Sequence, residues 1–271
     1  MTEPPAYPLV DGIVVDPDGP VLRVRLDRLE RRNALTDDMV LALVETFETA
    51  SLDESIRVIA ISATGDHFCS GFDMGTRGRP EVKPRTGATQ RQLRAGVNRL
   101  IPTMLECQTP IVTVATGHVI GLGLGLVLAS DFAFVADDAR LRTPFTAMGF
   151  TPDSGTSWLI PRLVGVARAK EMLLLSREIS GAQAAEWGLV HRAVPVGTLA
   201  DSAAALTAEL ASAATVGIGL AKLLVHRGLT ASLDAHLADE ALAIELASRS
   251  DDFKEAARAR KDRRDPDFQG R

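Results

Sequence analysis

The sequence predicts an α/β fold in which strands alternate with helices, followed by a helical tail. Residues 58–62 and 111–116 are short apolar runs with the length and composition of buried strands, and a segment rich in small residues follows each. Such alternation of strands and helices is typical of repeated βα or ββα units. Near Pro195 the pattern changes to an Ala-rich series of helices, so we expect the α/β core to end there.

The first elements follow from alternation and from a helix cap. Residues 13–15 and 21–26 alternate like two strands, and residues 17–20 (PDGP) form the turn between them. Thr36 is a good N-cap for a helix that extends to about residue 51. The apolar side chains of this helix recur at helical spacing: Met39, Leu43, Val44 and Phe47.

The alternation continues through the middle of the chain. Residues 75–89 contain Gly, Pro, Arg, Lys and Thr without periodicity, and we expect a mobile loop there, followed by a helix at 90–107. A buried helix at 121–130 precedes a strand at 132–136. From about Ser154 onward the predicted helices span residues 155–164, 166–176, 181–187, 198–214, 217–227, 233–249 and 252–262.

Composition argues against several classes of function. The 271 residues carry a formal net charge of −5, which gives nucleic-acid binding no bulk electrostatic support. Cys69 and Cys107 form neither a disulfide framework nor a paired zinc motif, so we expect a reduced, cytoplasmic protein without a metal site. The first residues do not resemble a signal peptide, and the longest apolar run, near 120–129, is too short to span a bilayer. We therefore expect no membrane partner.

The most informative segments are residues 65–74 (GDHFCSGFDM) and 117–125 (GHVIGLGLG), which follow the two apolar runs. Each places small residues where a strand should turn into a helix, and such a turn leaves backbone N–H groups unpaired at a helix start. Two helix starts that face one another could direct two amides at one oxygen atom. This arrangement would stabilise the negative charge of an enolate or of a tetrahedral oxyanion.

These and other segments resemble those of a known family, the crotonase superfamily of enoyl-CoA hydratases and isomerases. The resemblance extends from about Val10 to Phe268, nearly the whole chain, and depends on the order and spacing of the pieces. The matching pieces are residues 31–36 (RRNALT), 68–73 (FCSGFD), 109–110, 116–118, 121–125 followed by 130–131, 148–155, 159–165, 184–190 (AAEWGLV) and 252–268.

The resemblance implies a fold, an oligomer and a substrate. The family fold is a spiral of repeated ββα units with a C-terminal helical trimerisation region, so we expect a core at residues 1–195 and an oligomerisation region at 196–271. A homotrimer or a dimer of trimers is then expected. The family binds an acyl-CoA thioester as substrate, and the matching positions assign the two oxyanion amides to Phe72 and Leu122. No metal or redox cofactor is implied.

Departures from the family's hydratases indicate a different reaction. Those enzymes hold a catalytic water between two glutamates, and the corresponding residues here are Gly125 and Phe145, which follows Pro144. Neither residue can act as a base. Asp153 instead resembles the single carboxylate of the branch that isomerises double bonds or ring epoxides in acyl-CoA substrates. One carboxylate that moves a proton between two carbons suits a 1,3-allylic shift.

Other interpretations of the same residues stay open. Asp153 also matches the nucleophile of aryl-CoA dehalogenases, but the His that those enzymes additionally use is absent between His67 and His118. Asp153 could instead cap a helix that begins near Ser154. The alternatives to an isomerase are a hydratase with a non-standard base and a non-catalytic homologue that binds acyl-CoA.

The resemblance also assigns residues to the binding of coenzyme A. Arg31 and Arg32 lie where family members hold the adenine and phosphates, and Arg260 and Arg263 belong to a tail that can reach a neighbour's CoA. Arginine pairs well with phosphate, although each of these residues alone would be an ordinary solvated charge. The other residues assigned to binding by position are Ala34, Ser70, Gly71, Asp73, Gly121 and Gly123.

Four side chains near the two turns also have structural interpretations. Asp73 could cap the next helix, and Cys69 is expected to be a small, buried packing residue. We expect His118 to make a structural hydrogen bond and His67 to be exposed in a loop.

Overall fold

The computed structural model describes residues 5–75 and 83–271. Within them the strands are β1 (Ile13–Asp18), β2 (Val21–Leu26), β3 (Val58–Ala63), β4 (Ile111–Ala115), β5 (His118–Ile120), β6 (Phe132–Ala136), β7 (Arg140–Arg142), β8 (Ile179–Ser180) and β9 (Arg192–Val194). The helices are α1 (Asp37–Leu52), α2 (Ala88–Ala95), α3 (Val97–Glu106), α4 (Leu122–Ala129), α5 (Thr156–Leu175), α6 (Gly181–Glu186), α7 (Val196–Ser212), α8 (Thr215–Gly228), α9 (Leu233–Ala247) and α10 (Asp251–Asp262). Short 3₁₀ turns lie at Leu29–Arg31 and Thr146–Met148.

The chain is an α/β protein, as predicted. In the described residues, one sheet has the strand order β1-β2-β3-β4-β6-β9 and a smaller sheet has the order β5-β7-β8. In the larger sheet β1 and β2 pair antiparallel, and the other neighbouring strands pair in parallel. In the smaller sheet β5 and β7 are parallel, whereas β7 and β8 are antiparallel.

The order of the elements repeats two strands and then a helix, as β1-β2-α1, β4-β5-α4 and β6-β7-α5. In the second and third repeats the first strand joins the larger sheet and the second strand joins the smaller one. The chain therefore steps from one sheet to the other before each helix. This spiral brings the end of β4, all of β5 and the start of α4 next to the segment that follows β3.

One aliphatic core holds the sheets and helices together. Helix α1 packs against α3, α3 packs against α4, and α7 packs across β3, β4 and β6. Thr36 caps α1 as predicted, because its Oγ1 accepts the N–H of Met39 at 3.2 Å. The predicted apolar face of α1 is buried, with Met39, Leu43 and Phe47 inaccessible to solvent.

The helix predicted at residues 90–107 is in fact two helices, α2 and α3. Gly96 lies between them with φ −122° and ψ −99°, outside the helical region, and its N–H donates to the carbonyls of Gln92 and Leu93. A glycine inside a helical pattern is also compatible with one continuous helix, so the sequence did not reveal the break. Residues 76–82 of the predicted loop lie outside the described residues, and Ala88 already belongs to α2.

Four short strands, β5, β7, β8 and β9, are absent from the prediction. Each has three residues or fewer, which is too short for apolar and polar residues to show an alternation. The tail is helical as predicted, and Gly165 with φ 78° bends α5 at the boundary expected between two helices.

In the part of the chain that is described, no single helix is long and apolar enough to cross a membrane; α7 and α8, bent by 111°, meet that criterion only as a pair.

Candidate active site

The spiral brings the two small-residue turns of the sequence side by side. The segment after β3 pairs in parallel with β5, through a bridge between Cys69 and Val119. The N–H of Cys69 donates to the carbonyl of His118 at 2.9 Å, and the N–H of Ile120 donates to the carbonyl of Cys69 at 3.0 Å. Backbone hydrogen bonds therefore hold the first turn against the strand that leads into the second.

Gly71 in the first turn approaches Leu122, the first residue of α4. Gly71 has φ +101°, in the region that favours glycine. A Cβ at Gly71 would lie 3.2 Å from the carbonyl oxygen of Ile120 and 4.0 Å from the amide nitrogen of Leu122. The residue next to Phe72 therefore adjoins the other amide assigned to the oxyanion hole.

The direction of the Phe72 amide follows from the hydrogen bonds around it. The N–H of Leu35 donates to the carbonyl of Gly71 at 2.8 Å, and the N–H of Asp73 donates to the carbonyl of Leu35 at 2.8 Å. In a planar trans peptide the N–H is opposite to the C=O of the same unit. The N–H of Phe72 therefore points away from Leu35.

The Leu122 amide lies at the start of a fully buried helix. Gly121, with φ +54°, is the N-cap residue of α4 and has no side chain to cap it, and its own N–H donates to the carbonyl of Arg142 at 3.0 Å. The first N–H groups of a helix have no partner inside it, and they form the positive end of the helix dipole. Among the described residues no acceptor bonds the N–H of Leu122.

Cys69 and Gly123 pack against each other between the two turns. A Cβ at Gly123 would lie 2.6 Å from the Cβ of Cys69 and 2.9 Å from its Sγ. The Cys69 thiol is inaccessible to solvent, and burial raises its pKa to about 12. The packing role predicted for Cys69 is confirmed, and Gly123 allows α4 to approach it.

Gly125 and Phe145, the residues at the positions of the hydratase glutamates, lie close to other atoms. A Cβ at Gly125 would lie 2.7 Å from the carbonyl oxygen of Ser154 and 3.4 Å from Cδ1 of Ile101. The ring of Phe145 lies over the second turn, with Cζ 3.7 Å from the place of a Cβ at Gly121. Gly125 thus leaves little room for a longer side chain, and Phe145 places a ring beside the start of α4.

Asp153 lies in a turn that packs directly on α4. Its partly buried carboxylate accepts the hydroxyl of Ser154 at 2.6 Å, and the carbonyl oxygen of Ser154 is the atom that meets Gly125. Helix α5 begins at Thr156 with Gly155 as N-cap and without a side-chain cap. The alternative interpretation of Asp153 as a side-chain cap is therefore wrong, and the N–H of Thr156 donates to the main-chain carbonyl of Asp153 at 3.0 Å.

The residues assigned to CoA binding form two separate groups. Arg31 and Arg32 are exposed beside the first turn, where Ser70 Oγ donates to the carbonyl of Arg31 at 3.1 Å and Ser70 N–H donates to that of Arg32 at 3.0 Å. Arg260 and Arg263 are exposed at the end of α10. In residues 5–75 and 83–271 no hydrogen bond or ion pair joins their side chains to either turn, so their assignment stays a prediction that needs a neighbouring subunit.

Asp73 does not cap the next described helix, α2, whose N-cap is Gly87. Its carboxylate instead accepts the Arg28 guanidinium at 2.7 Å and the N–H of Gly75 at 2.9 Å. The guanidinium bond holds the pKa of the Asp73 carboxyl below its usual value, so the pair is ionised at neutral pH. The sequence analysis did not single out Arg28, because no local pattern links it to a residue 45 positions away.

The imidazole rings of His67, in the first turn, and His118, in β5, stack on each other. Their ring centroids are 4.2 Å apart and nearly parallel, and Nδ1 of His67 accepts the N–H of His118 at 3.3 Å. Burial, followed by the charges of His67, Arg32 and Arg140, lowers the pKa of His118. The exposed position expected for His67 is wrong, since it is partly buried in this stack.

A cavity of about 780 Å³ lies beyond the Asp153 turn, between α3, the start of α5 and α8. Its lining includes Ile101 and Gly155, which border the turn, but it includes no residue of the two small-residue turns. In the described chain no group of three or more His, Cys, Asp or Glu residues could hold a metal ion. Around the start of α4, Gly71 adjoins the Leu122 amide and the turn that contains Asp153 packs on Gly125. The joint action of Phe72, Leu122 and Asp153 stays a prediction.

Comparison with known proteins identifies the family of this chain. A family model described as enoyl-CoA hydratase/isomerase matches residues 17–271. The 1,2-epoxyphenylacetyl-CoA isomerase of Escherichia coli K12 is 33% identical over 251 residues, which cover 93% of this chain and 95% of that protein. A Rhodobacter capsulatus protein named "probable enoyl-CoA hydratase" is 32% identical over 98% of this chain and 97% of its own length.

The solved structures include close matches to the whole fold. The enoyl-CoA hydratase of Bacillus anthracis superposes with a TM-score of 0.86 at 30% identity, and the match covers 96% of this chain and 100% of that one. The names of these three similar proteins include one isomerase and two hydratases. At such identities the names alone do not decide the reaction.

Proposed function

The chain belongs to the enoyl-CoA hydratase/isomerase family and has the crotonase-type fold, and from this premise we propose that it isomerises enoyl-CoA thioesters. The family supports an acyl-CoA enzyme. The choice of isomerisation, by a shift of a double bond or the rearrangement of a ring, depends on one observation. Asp153 lies in the turn that packs on α4, whereas the two hydratase glutamate positions hold Gly125 and Phe145.

The proposed mechanism uses two amides and one base. The amides of Phe72 and Leu122 donate hydrogen bonds to the thioester carbonyl oxygen. The Asp153 carboxylate removes a proton from one end of the allylic unit, and the electron pair of that C–H bond moves through the conjugated system onto the carbonyl oxygen. The enolate then takes the proton back from the Asp153 carboxylic acid at the other end, which restores the carboxylate.

No metal or redox cofactor is part of this proposal. Substrate and product have the same composition and the same oxidation state, so the reaction needs only a proton carrier and a site for the enolate charge. The CoA thioester is the substrate. Arg31 and Arg32, exposed beside the first turn, are proposed to bind its adenine and phosphates.

We also propose that the chain acts as a homotrimer or a dimer of trimers, with residues 196–271 as the oligomerisation region. Helix α9 supports self-association, because none of its residues is buried in the described chain. Its apolar side chains are 50–72% exposed: Leu233, Leu237, Leu242, Ile244 and Leu246. Arg260 and Arg263 are then available to a neighbour's CoA, as expected from the resemblance.

Replacing the proposed base tests the reaction. Asp153→Asn keeps the size of the side chain and removes the proton acceptor. We expect kcat for the conversion of a 3-enoyl-CoA to the 2-enoyl-CoA to fall by about 10²- to 10⁴-fold. The Kd for the acyl-CoA, measured by calorimetry, should change little. Asp201→Asn, an exposed carboxylate of α7, is the matched control and should have no effect.

Two alternatives predict different results from the same assay. A hydratase with a non-standard base adds water to crotonyl-CoA, which is seen as loss of the enoyl absorbance. A non-catalytic homologue binds CoA thioesters and yields no product with any acyl chain. Unchanged turnover in Asp153→Asn, with the thioester bound, would remove Asp153 from the mechanism.

A further inference from the structure

A partly buried ion pair lies immediately beside the first turn. Nη1 of Arg28 is 2.7 Å from Oδ2 of Asp73, and the two side chains are only 18% and 12% exposed. Asp73 directly follows Phe72 in the chain. Oδ1 of Asp73 also accepts the N–H of Gly75, so each of the two carboxylate oxygens has a hydrogen-bond donor. An ion pair with so little exposure is stronger and more specific in geometry than one at the surface.

Arg28 connects the two segments that direct the Phe72 amide. The same Nη1 that bonds Asp73 also donates to the carbonyl of Ala34 at 3.1 Å. The next residue, Leu35, forms the two backbone hydrogen bonds that flank Phe72, to Gly71 and to Asp73. The Arg28 guanidinium therefore hydrogen-bonds both to residue 34 and to residue 73. These residues flank the bridge between Leu35 and Phe72 that sets the direction of the Phe72 N–H.

Asn33 supports the same arrangement from inside the core. It is inaccessible to solvent and has φ +56°, which Asn tolerates better than most residues. Its Oδ1 accepts the N–H of Arg28 at 2.8 Å, and its Nδ2 donates to the carbonyls of Thr64 and His67 at 2.9 and 2.8 Å. One amide side chain thus fixes the backbone of Arg28 and both ends of the loop that leads into the first turn.

We propose that Arg28, Asp73 and Asn33 are positioning residues that hold the Phe72 N–H in the direction required to bind the thioester oxygen. The inference rests on the proposed function, because it assigns a task to residues around the proposed oxyanion hole. None of the three contacts the substrate in this role. They act through Leu35 and the peptide units on either side of Phe72. Oxyanion stabilisation depends on donors that are fixed before reaction, so a small rotation of this peptide reduces it.

A pair of ligands isolates the contribution of the carbonyl oxygen. Butyryl-CoA has the thioester carbonyl, and the thioether S-butyl-CoA has the same chain without that oxygen. The ratio of their dissociation constants, measured by calorimetry, reports on the oxyanion hole without any turnover. Affinity for free CoA reports separately on the nucleotide site. The wild-type protein should bind butyryl-CoA more tightly than S-butyl-CoA.

The variants are Asp73→Asn, Arg28→Gln and their combination. Each single change should bring the ratio of the dissociation constants of S-butyl-CoA and butyryl-CoA towards one. Each should also lower kcat by about ten- to a hundredfold, a smaller decrease than the removal of a whole oxyanion donor causes. The double variant should lose no more than either single variant, since the two residues act as one unit. Affinity for free CoA should stay unchanged in Arg28→Gln, which alters a residue that the resemblance does not assign to CoA binding. Asp18→Asn, which breaks the exposed Arg23–Asp18 pair, 2.8 Å long, is the control.

Each result decides between the proposals. An unchanged ratio and an unchanged kcat in folded Asp73→Asn overturn the positioning role and leave the isomerase proposal intact. A wild-type protein that turns over no enoyl-CoA, yet whose ratio falls in Asp73→Asn, overturns the isomerase proposal and supports positioning. Equal losses of affinity for butyryl-CoA, S-butyl-CoA and free CoA overturn positioning, because they indicate a general disturbance. If Asp73→Asn does not fold, the same measurements are made on Arg28→Lys. This variant keeps the positive charge but lacks the planar guanidinium.

Discussion

Gly125 lies in α4 where the helix meets the Asp153 turn, and a Cβ there would be 2.7 Å from the carbonyl oxygen of Ser154. A contact this short forces the backbone of the turn or the helix to move. Ser154 has φ +53° and is almost fully buried, so the turn has little freedom to adjust. The same close approach that leaves no room for a glutamate at Gly125 brings Ser154, the residue after Asp153, against the helix.

Gly125→Ala is therefore expected to destabilise the protein by about 1–3 kcal/mol, the usual range for overpacking a core. Gly197→Ala is the matched control, because it lies in α7, is exposed and has no atom within 4 Å of its Cβ position. Alanine has the higher helix propensity, so this change should be stabilising by up to about 1 kcal/mol. Urea unfolding of both variants measures the difference. Free energies of unfolding that change in the same direction would contradict the packing argument.

Individual side chains around the site were predicted unequally well. Gly71, next to Phe72, adjoins Leu122, and Ser154, next to Asp153, packs against Gly125, whereas the catalytic roles of Phe72, Leu122 and Asp153 stay predictions. Arg28 and Asn33 were not singled out, because their partners lie 31 to 45 positions away along the chain. A buried Asn is indistinguishable in sequence from an exposed one until the fold shows which atoms surround it.

The start of helix α10 is hydrogen-bonded to the residues that follow the helix, at positions 269–271. Asp252 is 2% exposed, and its two carboxylate oxygens accept the N–H groups of Gln269 and Gly270 at 2.7 and 2.9 Å. The N–H of Asp252 donates in turn to the carbonyl of Arg271 at 3.0 Å. The guanidinium of Arg57 donates to the carbonyl of Phe268 at 3.1 Å, which ties the same segment to the core. The start of α10 therefore holds the last residues in place.

Asp252→Asn should loosen this segment without unfolding the core. One carboxylate oxygen becomes an NH₂ group, which cannot accept a backbone N–H, and a hydrogen bond to a charged group contributes about 1.5–3 kcal/mol. We expect hydrogen exchange at Gln269 and Gly270 to become at least about tenfold faster. Asp251→Asn, which removes an exposed carboxylate bonded to Lys254, is the control and should leave these amides unchanged. Equal exchange in both variants would contradict the role of Asp252.

Prediction at the level of helices and strands depended on length. The capped helix α1 and the five- and six-residue strands of the larger sheet were found in the sequence, because their periodicity extends over enough residues. The strand β1 is longer than predicted, because Pro17 and Asp18, assigned to the turn, pair with β2. The three-residue strands β5 and β7 were not, although β5 positions the second turn. The break at Gly96 was also missed, since a single glycine has little effect on an otherwise helical pattern.

At the scale of the whole molecule, helix α9 exposes apolar side chains that no other described residue covers. Leu233, Leu237 and Ile244 fall within roughly 40° of one another around the helix axis, at 100° per residue. They are 72%, 50% and 61% exposed. A stripe of this kind is typical of an interface between subunits. It supports the proposed trimer.

Leu237→Glu should therefore disrupt self-association. A buried, unpaired carboxylate at a subunit interface costs several kcal/mol, enough to shift the equilibrium towards smaller species. Analytical ultracentrifugation should give a trimer or hexamer for the wild-type protein and a smaller mass for the variant. Leu9→Glu, at an exposed leucine outside α9, is the control and should keep the wild-type mass. A monomeric wild-type protein would overturn the proposed oligomer.

The sequence by itself determined the fold class and the two small-residue turns, because these are properties of residue type and local spacing. The absence of both hydratase glutamates followed from the resemblance to the family, which shows the positions where they would lie. Only the tertiary structure decided that Gly71 meets Leu122, that Ser154, next to Asp153, packs on α4, and that Arg28 pairs with Asp73. The physical reason is distance along the chain. Periodicity and caps act over a few residues, whereas these contacts join segments brought together by the spiral of strands.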